Sequence, residues 1–304
     1  MWAYGPESFE EFDASVVSLL ESGLQAELLR RAIAPRSVAR STMSVVAGLR
    51  KRERRHSRTD ALVAALAARP FGAKQIRDTT HDADVVISAT DMQTGNAVRF
   101  GSKHSLSSQH GRIVDEVTVA EAVASSAAFP ILLPALTRRF TFERPNGIRH
   151  THTIAMTDGG VYDNLGLTPL MPGRSAAFNA HVYDLDVVIA VDAGRGRGVP
   201  AGAGRFALKR LAQSFDITHT KSQDAARSRI HQLGASGELS GFLHVYLGMR
   251  DERSPLPLAD LVPRQSVQSY PTNFARMTRN DVAAVSTRGE QLTRALIQHY
   301  LPDL

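Results

Sequence analysis

The segment that most constrains this chain is residues 152–169, which reads HTIAMTDGGVYDNLGLTP. An apolar run at 154–156 has the character of a strand that stops at Asp158, and Gly159 and Gly160 follow at once. Two residues without a Cβ let the backbone bend sharply and approach another part of the chain closely. The pattern therefore predicts a carboxylate at the mouth of a sheet, where ligands bind in open α/β folds. Because Asp-Gly is also a common turn signal, a simple turn is the alternative.

Helical patterns fill the opening of the chain, and strand patterns begin only after them. Apolar spacing and stop signals predict helices at 7–21, 25–33, 37–54, 60–68, 117–128, 204–233 and 280–300. Strands are predicted at 84–90, 97–100, 140–144, 150–156, 186–191 and 242–247. The run DVVIAV at 186–191 has no polar face, which is typical of a buried parallel strand. The alternation favours a mainly parallel sheet covered by helices on both faces.

Composition excludes several kinds of site. The 304 residues contain no cysteine, which excludes disulfides, thiolate metal sites and a cysteine nucleophile. The opening residues MWAYGPESFEEFD lack the basic and apolar parts of a secretory signal. The most apolar stretch, 119–136, is interrupted by Glu121, Pro130 and Pro134, which makes it a poor membrane span. We therefore expect a soluble or peripheral protein and favour the cytoplasm.

Positive charge is the second feature of the composition. The formal net charge is +6, and residues 50–58 read RKRERRHSR. Such a run suits an anionic membrane surface, and the apolar residues 129–136 offer a lip for peripheral contact. No aromatic side chains interleave the run to stack bases, so we do not expect nucleic acid as a partner. A solvated helix end is the plainer interpretation of the same residues.

Three segments in this order resemble the patatin-like phospholipase family. They are Ser88–Thr90 with the turn at 91–95, the small-residue stretch 124–134 (ASSAAFPILLP), and Asp158-Gly159-Gly160 with Asn164 beyond. The resemblance implies an α/β protein with a three-layer α/β/α fold and a mainly parallel central sheet. In this chain a helical segment precedes the sheet. We expect a single domain over 1–304 that lacks its N-terminal portion, with the helical segment at 1–75 and the part that contains the sheet and the catalytic acid at 76–304.

The resemblance also implies a chemistry. The family hydrolyses acyl esters of lipids with a Ser–Asp dyad and no cofactor, so Asp158 is the expected catalytic base. Its carboxylate would accept the serine proton and return it to the leaving alcohol, a role that partial desolvation favours. By the same resemblance Gly159 and Gly160 keep the backbone clear of the nucleophile turn, and Asn164 holds the loop. The implied substrate is a lipid or another acyl ester.

The chain departs from the family pattern at the nucleophile. Neither a Gly-rich oxyanion loop nor a G-x-S-x-G elbow is present, and the nearest strings, 234–238 (GASGE) and 237–241 (GELSG), miss the spacing. Ser125 and Ser126 belong to the predicted small-residue helix, so we do not expect either to be the nucleophile. We therefore predict a truncated patatin-like protein that is inactive as it stands. The alternative is a non-catalytic, lipid-binding pseudoenzyme.

Metal chemistry is not expected. His150 and His152 alternate along a predicted strand and so share one face, which is compatible with a metal. A solvated pair is the favoured interpretation. Asp192 ends a strand much as Asp158 does, but its spacing from other carboxylates resembles an acid/base pair only superficially.

Overall fold

The structure is a computed structural model that describes residues 1–33, 57–130, 132–176, 179–194, 207–271 and 273–304. The predicted helix at 37–54 and nearly all of the basic run at 50–58 lie outside the described residues. The chain divides into two compact units. The first comprises Met1–Tyr162 with Phe274–Arg276, and the second Asp163–Asn273 with Met277–Leu304.

The first unit opens with helices whose boundaries follow local signals. They are α1 (Phe9–Ser22), α2 (Gln25–Ile33) and α3 (Arg58–Leu66), the last followed by a π-helical turn at Ala67–Phe71. Ser8 caps α1 by accepting a hydrogen bond from the Glu11 amide, and Gly23 ends that helix with a φ of 63°. Ser57 and Asp60 form a capping box on α3. The helices predicted at 7–21, 25–33 and 60–68 are confirmed, and each of their ends agrees with the structure to within two residues.

Six antiparallel strands then close into a small barrel. They are β1 (Val86–Asp91), β2 (Ala97–Gly101), β3 (Leu106–Ser107), β4 (Gly111–Ile113), β5 (Leu136–Glu143) and β6 (Arg149–Asp158). Neighbours in sequence pair along the sheet, and β1 closes it by pairing with β6. Gly95 and Gly147, both at positive φ, lie in the β1–β2 and β5–β6 turns, and each of these antiparallel strand pairs forms a hairpin.

Helix α4 (Val119–Ser126) lies between β4 and β5 in the chain and packs on β1 and β6. It begins at a capping box of Thr118 and Glu121. Ala120, Ala122 and Ala124 are fully buried, because small side chains let a helix approach a sheet closely. The core that joins helices and barrel contains, among others, Leu62, Ala65, Ala89, Val98, Phe100, Ile113, Val119, Leu136, Phe142, Ile154 and Met156.

The second unit is built on two parallel strands, β7 (Val187–Asp192) and β8 (Gly241–Tyr246). They are joined by the long helix α6 (Ala207–Ala235), and two short helices, α5 (Gly160–Asp163) and α7 (Arg264–Val267), flank this region in the chain. The last helix is α8 (Arg279–Tyr300). One face of the strand pair packs on α6 through Val188, Ala190 and Ile230, and the other packs on α8 through Leu243, Val245, Leu292 and Leu296.

The predicted fold class is wrong. A three-layer α/β/α arrangement with a mainly parallel central sheet was expected, but the larger sheet is a closed antiparallel barrel, and within the described parts of the chain only β7 and β8 pair in parallel. The reason is visible in the connections. The β1–β2 and β5–β6 links span only 92–96 and 144–148, whereas a parallel pair needs a crossover of a dozen or more residues.

Within the parts of the chain that the structure describes, no helix is long and apolar enough to cross a membrane.

Candidate active site

Asp158 is the last residue of β6 and lies at the end of the barrel where β6 meets β1. It pairs in register with Ala89, and its backbone is held on both sides. The Asp158 amide donates to the carbonyl of Ala128 at 3.1 Å, and the Thr90 hydroxyl donates to the Asp158 carbonyl at 2.9 Å. The predicted strand-end position of this carboxylate is therefore confirmed, although the sheet is antiparallel.

The Asp158 side chain is half-buried, and its orientation is set by the turn that follows. The backbone amide of Gly160 donates to Asp158 Oδ1 at 2.6 Å. A hydrogen bond from the chain's own backbone holds the carboxylate in one rotamer before any substrate arrives. The predicted turn and the predicted strand end are thus parts of one local structure.

Gly159 is required by packing against β1. A Cβ built on Gly159 would lie 2.2 Å from the Ser88 carbonyl oxygen and 2.8 Å from its carbonyl carbon. The Gly159 amide also donates to the carbonyl of Ser126, at the end of α4, at 3.3 Å. A side chain here would push β1 and β6 apart, so the glycine is what allows the strand to turn directly beside its neighbour.

The structure brings Asp158, Gly159 and Gly160 together but assigns Asn164 to the second unit. Asn164 is half-buried in the turn after α5. That turn is closed by Asp163, whose Oδ2 accepts a hydrogen bond from the Thr168 amide at 2.7 Å.

Comparison with known proteins gives the family. A sequence model described as "Patatin-like phospholipase" matches residues 12–171, slightly more than half of the chain. The chain belongs to the patatin-like phospholipase family. The match contains the strand-end aspartate, both glycines and Asn164, and it supports the activity class of the family, lipid acyl hydrolysis. Neither the curated proteins nor the solved structures include one that matches this chain significantly.

The serines of the patatin-like segment differ in which way they point. Ser125 is fully buried in α4, and its hydroxyl donates to the Glu121 carbonyl at 2.7 Å. Ser88 lies one residue before Ala89, the register partner of Asp158, so its side chain projects from the opposite face of the sheet. Neither hydroxyl is therefore placed for activation by the Asp158 carboxylate.

A buried arginine in the patatin-like segment was not identified from the sequence. Arg99 pairs in register with Ser88 and is 5% exposed, with its guanidinium carbon 5.9 Å from the centre of the Tyr162 ring. Its Nε has no hydrogen-bond partner within the described residues. The alternation of β2 predicts that Arg99 faces away from Val98 and Phe100, but its contact with Tyr162 joins segments far apart in the sequence and appears only in the folded chain.

Asp192 is a second aspartate at the end of a strand, and its carboxylate makes the same turn hydrogen bond as that of Asp158. Asp192 ends β7, and its Oδ1 accepts a hydrogen bond from the Gly194 amide at 2.7 Å, the same i to i+2 geometry as at Asp158. Burial raises the pKa of Asp192, but the nearby His244 ring, the Gly194 amide and Arg227 outweigh it and hold that pKa below its usual value. In this structure the Asp192 carboxylate is an ion-pair partner of Arg227.

The predicted histidine pair lies in an aromatic cluster on the barrel. The His152 ring stacks on His110 with centroids 4.5 Å apart, and His150 stacks on Phe142 at 5.7 Å. Burial, followed by the charge of His152, lowers the pKa of His110. Among the described residues, no group of three or more histidine, cysteine or carboxylate side chains is arranged to hold a metal ion.

Proposed function

We propose that Asp158 is the catalytic base of a Ser–Asp dyad that hydrolyses acyl esters of lipids. The observation that carries the proposal is the half-buried carboxylate at the end of β6, held in one orientation by the Gly160 amide, inside the segment that matches the patatin-like family. A general base must be fixed within reach of the proton that it accepts, and this turn supplies the fixing.

The proposed reaction has two stages. The serine oxygen attacks the acyl carbonyl carbon while its proton passes to Asp158, and that proton then goes to the oxygen of the leaving alcohol as the ester bond breaks. In the second stage a water gives its proton to Asp158 and attacks the acyl-serine ester. The fatty acid leaves, and the proton returns to the serine.

The supporting residues have separate roles in this proposal. Gly159 permits the close approach to β1 that fixes where the carboxylate projects, since any side chain would collide with Ser88. Gly160 supplies the amide that orients the carboxylate. We propose that Asn164 holds the turn that follows, as the family resemblance implies.

The serine itself is not encoded by a recognisable elbow in these 304 residues. We propose that a G-x-S-x-G elbow and an oxyanion loop precede Met1 in the full reading frame, and that the 304-residue chain alone does not turn over substrate. The second candidate is a lipid-binding protein without catalysis. In that case the role of Asp158 is structural, because its carboxylate closes the turn by accepting the Gly160 amide. Peripheral contact with an anionic membrane would serve either function.

The test is to translate the source DNA upstream of Met1 and express the extended protein. A fluorophosphonate probe, which reacts only with activated serines, should label the extended protein and not the 304-residue chain. In the extended protein, Asp158→Asn should lower kcat for a phospholipid or p-nitrophenyl ester by about 10²–10⁴-fold with little change in KM.

The control is Asp84→Asn, which removes a surface aspartate paired with Lys103 and should leave the rate within about threefold. The hydrolase proposal for this gene product is refuted if an in-frame stop codon lies upstream of Met1 and no G-x-S-x-G elbow is encoded between that stop and Met1. A labelled, active extended protein whose Asp158→Asn variant keeps its rate would end the role of Asp158 alone.

A further inference from the structure

The second unit contains a cavity of about 440 Å³ with an unusual concentration of arginine. It lies at the carboxyl ends of β7 and β8, where Asp192 and Tyr246 are paired in register. Its wall contains Arg227 and His231 of α6, His244 and Tyr246 of β8, and Arg250, Arg253 and Arg264 from the chain that follows β8. In sheets with parallel strands this edge is where ligands bind, and the volume is in the range of small-molecule sites.

The charge in this arginine cavity is not balanced by its own carboxylates. Among the residues that the structure describes, four arginines line it against one aspartate, Asp224. Arg227 is already engaged by Asp192 at 3.2 Å and by Asp224 at 3.6 Å. When Asp192, which pairs with Arg227, is counted together with Asp224, the four arginines exceed the carboxylates by two positive charges, taking the histidines as neutral. This surplus complements the two negative charges of a phosphate monoester.

Arg250 and Arg253 carry much of that surplus. Both are exposed, Arg250 directly before the short helical turn at Asp251–Arg253 and Arg253 as its last residue, and neither has a carboxylate within ion-pair distance among the described residues. The neighbouring Asp251 carboxylate pairs instead with the buried Arg288 at 2.9 Å. Arg264 is positioned by its own bond, because its Nε donates to the Gly248 carbonyl at 2.7 Å on the cavity wall.

A buried imidazole provides a second, independent observation. The His244 side chain is 9% exposed and stacks on Tyr246 with ring centroids 5.0 Å apart. Its Nε2 is buried without a hydrogen-bond partner among the described residues, and Asp192 Oδ2, at 3.8 Å, is beyond hydrogen-bond reach. Buried polar atoms are nearly always satisfied, so an orphaned ring nitrogen in a cationic cavity points to an absent ligand oxygen.

We propose that this arginine cavity binds the phosphate group of a small phosphate ester, either a phospholipid headgroup or a soluble phosphorylated molecule. Arg250 and Arg253 contact the phosphate oxygens, Arg264 forms the fixed wall, and His244 Nε2 hydrogen-bonds one oxygen at the floor. Arg227 is held over the Tyr246 ring, 5.7 Å from its centre, as the inner cationic wall. The proposal does not depend on the chemistry assigned to Asp158, since every contact lies within the second unit.

The test measures binding to the 304-residue chain in two arms at fixed ionic strength. Calorimetry with inorganic phosphate and with glycerol 3-phosphate detects a soluble ligand. Cosedimentation with phosphatidylcholine vesicles containing phosphatidic acid, or phosphatidylserine at equal surface charge, detects a headgroup. Preference for glycerol 3-phosphate supports the soluble source, and preference for phosphatidic acid over phosphatidylserine supports the lipid source.

The deciding variant is Arg250→Gln/Arg253→Gln, whose two residues are exposed and should not disturb folding. We expect its Kd for the preferred ligand to rise at least tenfold, and that of His244→Phe to rise several-fold. The control is Arg139→Gln/Arg229→Gln, which removes the same charge from exposed positions outside the cavity and should stay within twofold. Absence of phosphate binding in both arms, or equal losses in the two double variants, would overturn the proposal.

Discussion

The tightest constraint in the candidate site is the contact between Gly159 and Ser88, and Gly159→Ala tests it directly. The added Cβ would lie 2.2 Å from the Ser88 carbonyl oxygen. Close carbon–oxygen contacts in sheets are about 3.3–3.6 Å, so β1 and β6 must separate locally by about 1 Å. Overpacking of this kind costs about 1–3 kcal/mol, and weakening the Gly159–Ser126 hydrogen bond adds about 0.5–1.5 kcal/mol. We therefore expect a loss of about 2–4 kcal/mol in the free energy of unfolding of the first unit.

Urea unfolding followed by tryptophan fluorescence reads out this loss. Trp2 is the sole tryptophan of the 304 residues and belongs to the first unit, where its ring stacks on His81 with centroids 4.0 Å apart. With an m-value of about 2 kcal/mol per molar urea, the midpoint should fall by about 1–2 M. The same variant should lose ester hydrolysis in the extended protein, because Asp158 moves with the strand end.

The matched control is Gly147→Ala in the β5–β6 turn. Gly147 has a φ of 79° and open space around it, so alanine there meets no atom but adopts a strained backbone at about 1–2 kcal/mol. The reasoning is refuted if Gly159→Ala, whose backbone is not at positive φ, lowers the midpoint no more than Gly147→Ala does.

Two further predictions concern buried cations and protonation. Arg288 is fully buried, and its guanidinium donates hydrogen bonds to three backbone carbonyls and to Asp251. Arg288→Lys should therefore lower the free energy of unfolding by about 2–4 kcal/mol, measured in thermal or urea melts. The control Arg294→Lys, on the same helix, should change it by less than about 0.5 kcal/mol. The lowered pKa of His110 means that the unfolded chain binds its proton more readily. The stability of the first unit should therefore decrease as pH falls below 6.5. The urea midpoint should be lower at pH 5.5 than at pH 7.5, and His110→Phe should reduce this difference. A substitution of the exposed His299 should leave the difference unchanged.

Local structure could be predicted from the sequence because its causes are local. The 3.6-residue spacing of apolar side chains and the stop at Gly23 place α1, and the glycines at 95 and 147 place the two hairpins. The turn after Asp158 follows the same logic, since its hydrogen bond spans only two residues. The helix predicted to end at residue 233 continues through Gly234 to Ala235, and the glycine at positive φ that follows it is Gly237.

The sheet could not be predicted in the same way. DVVIAV was expected to be buried on both faces, but Val191 is 74% exposed, and among the described residues β7 pairs with β8 alone. The apolar run indicated a strand correctly and its parallel pairing correctly, yet extending that pairing to the rest of the chain was wrong. Whether a strand pairs in parallel or antiparallel depends on which other strand it meets, and the sequence of one segment does not specify that partner.

By itself, then, the sequence determined most of the helices and longer strands, the strand-end carboxylate and each separate segment of the family motif, all of which depend on residues within a few positions of one another. The tertiary structure decided the closure of the barrel, in which Ala89 pairs with Asp158, and the reason that Gly159 must be glycine, which lies in Ser88. It also decided the arginine cavity, assembled from a helix, a strand end and a later loop. The physical reason is that burial, close contact and charge balance arise between segments far apart in the chain, and they exist only once those segments have packed.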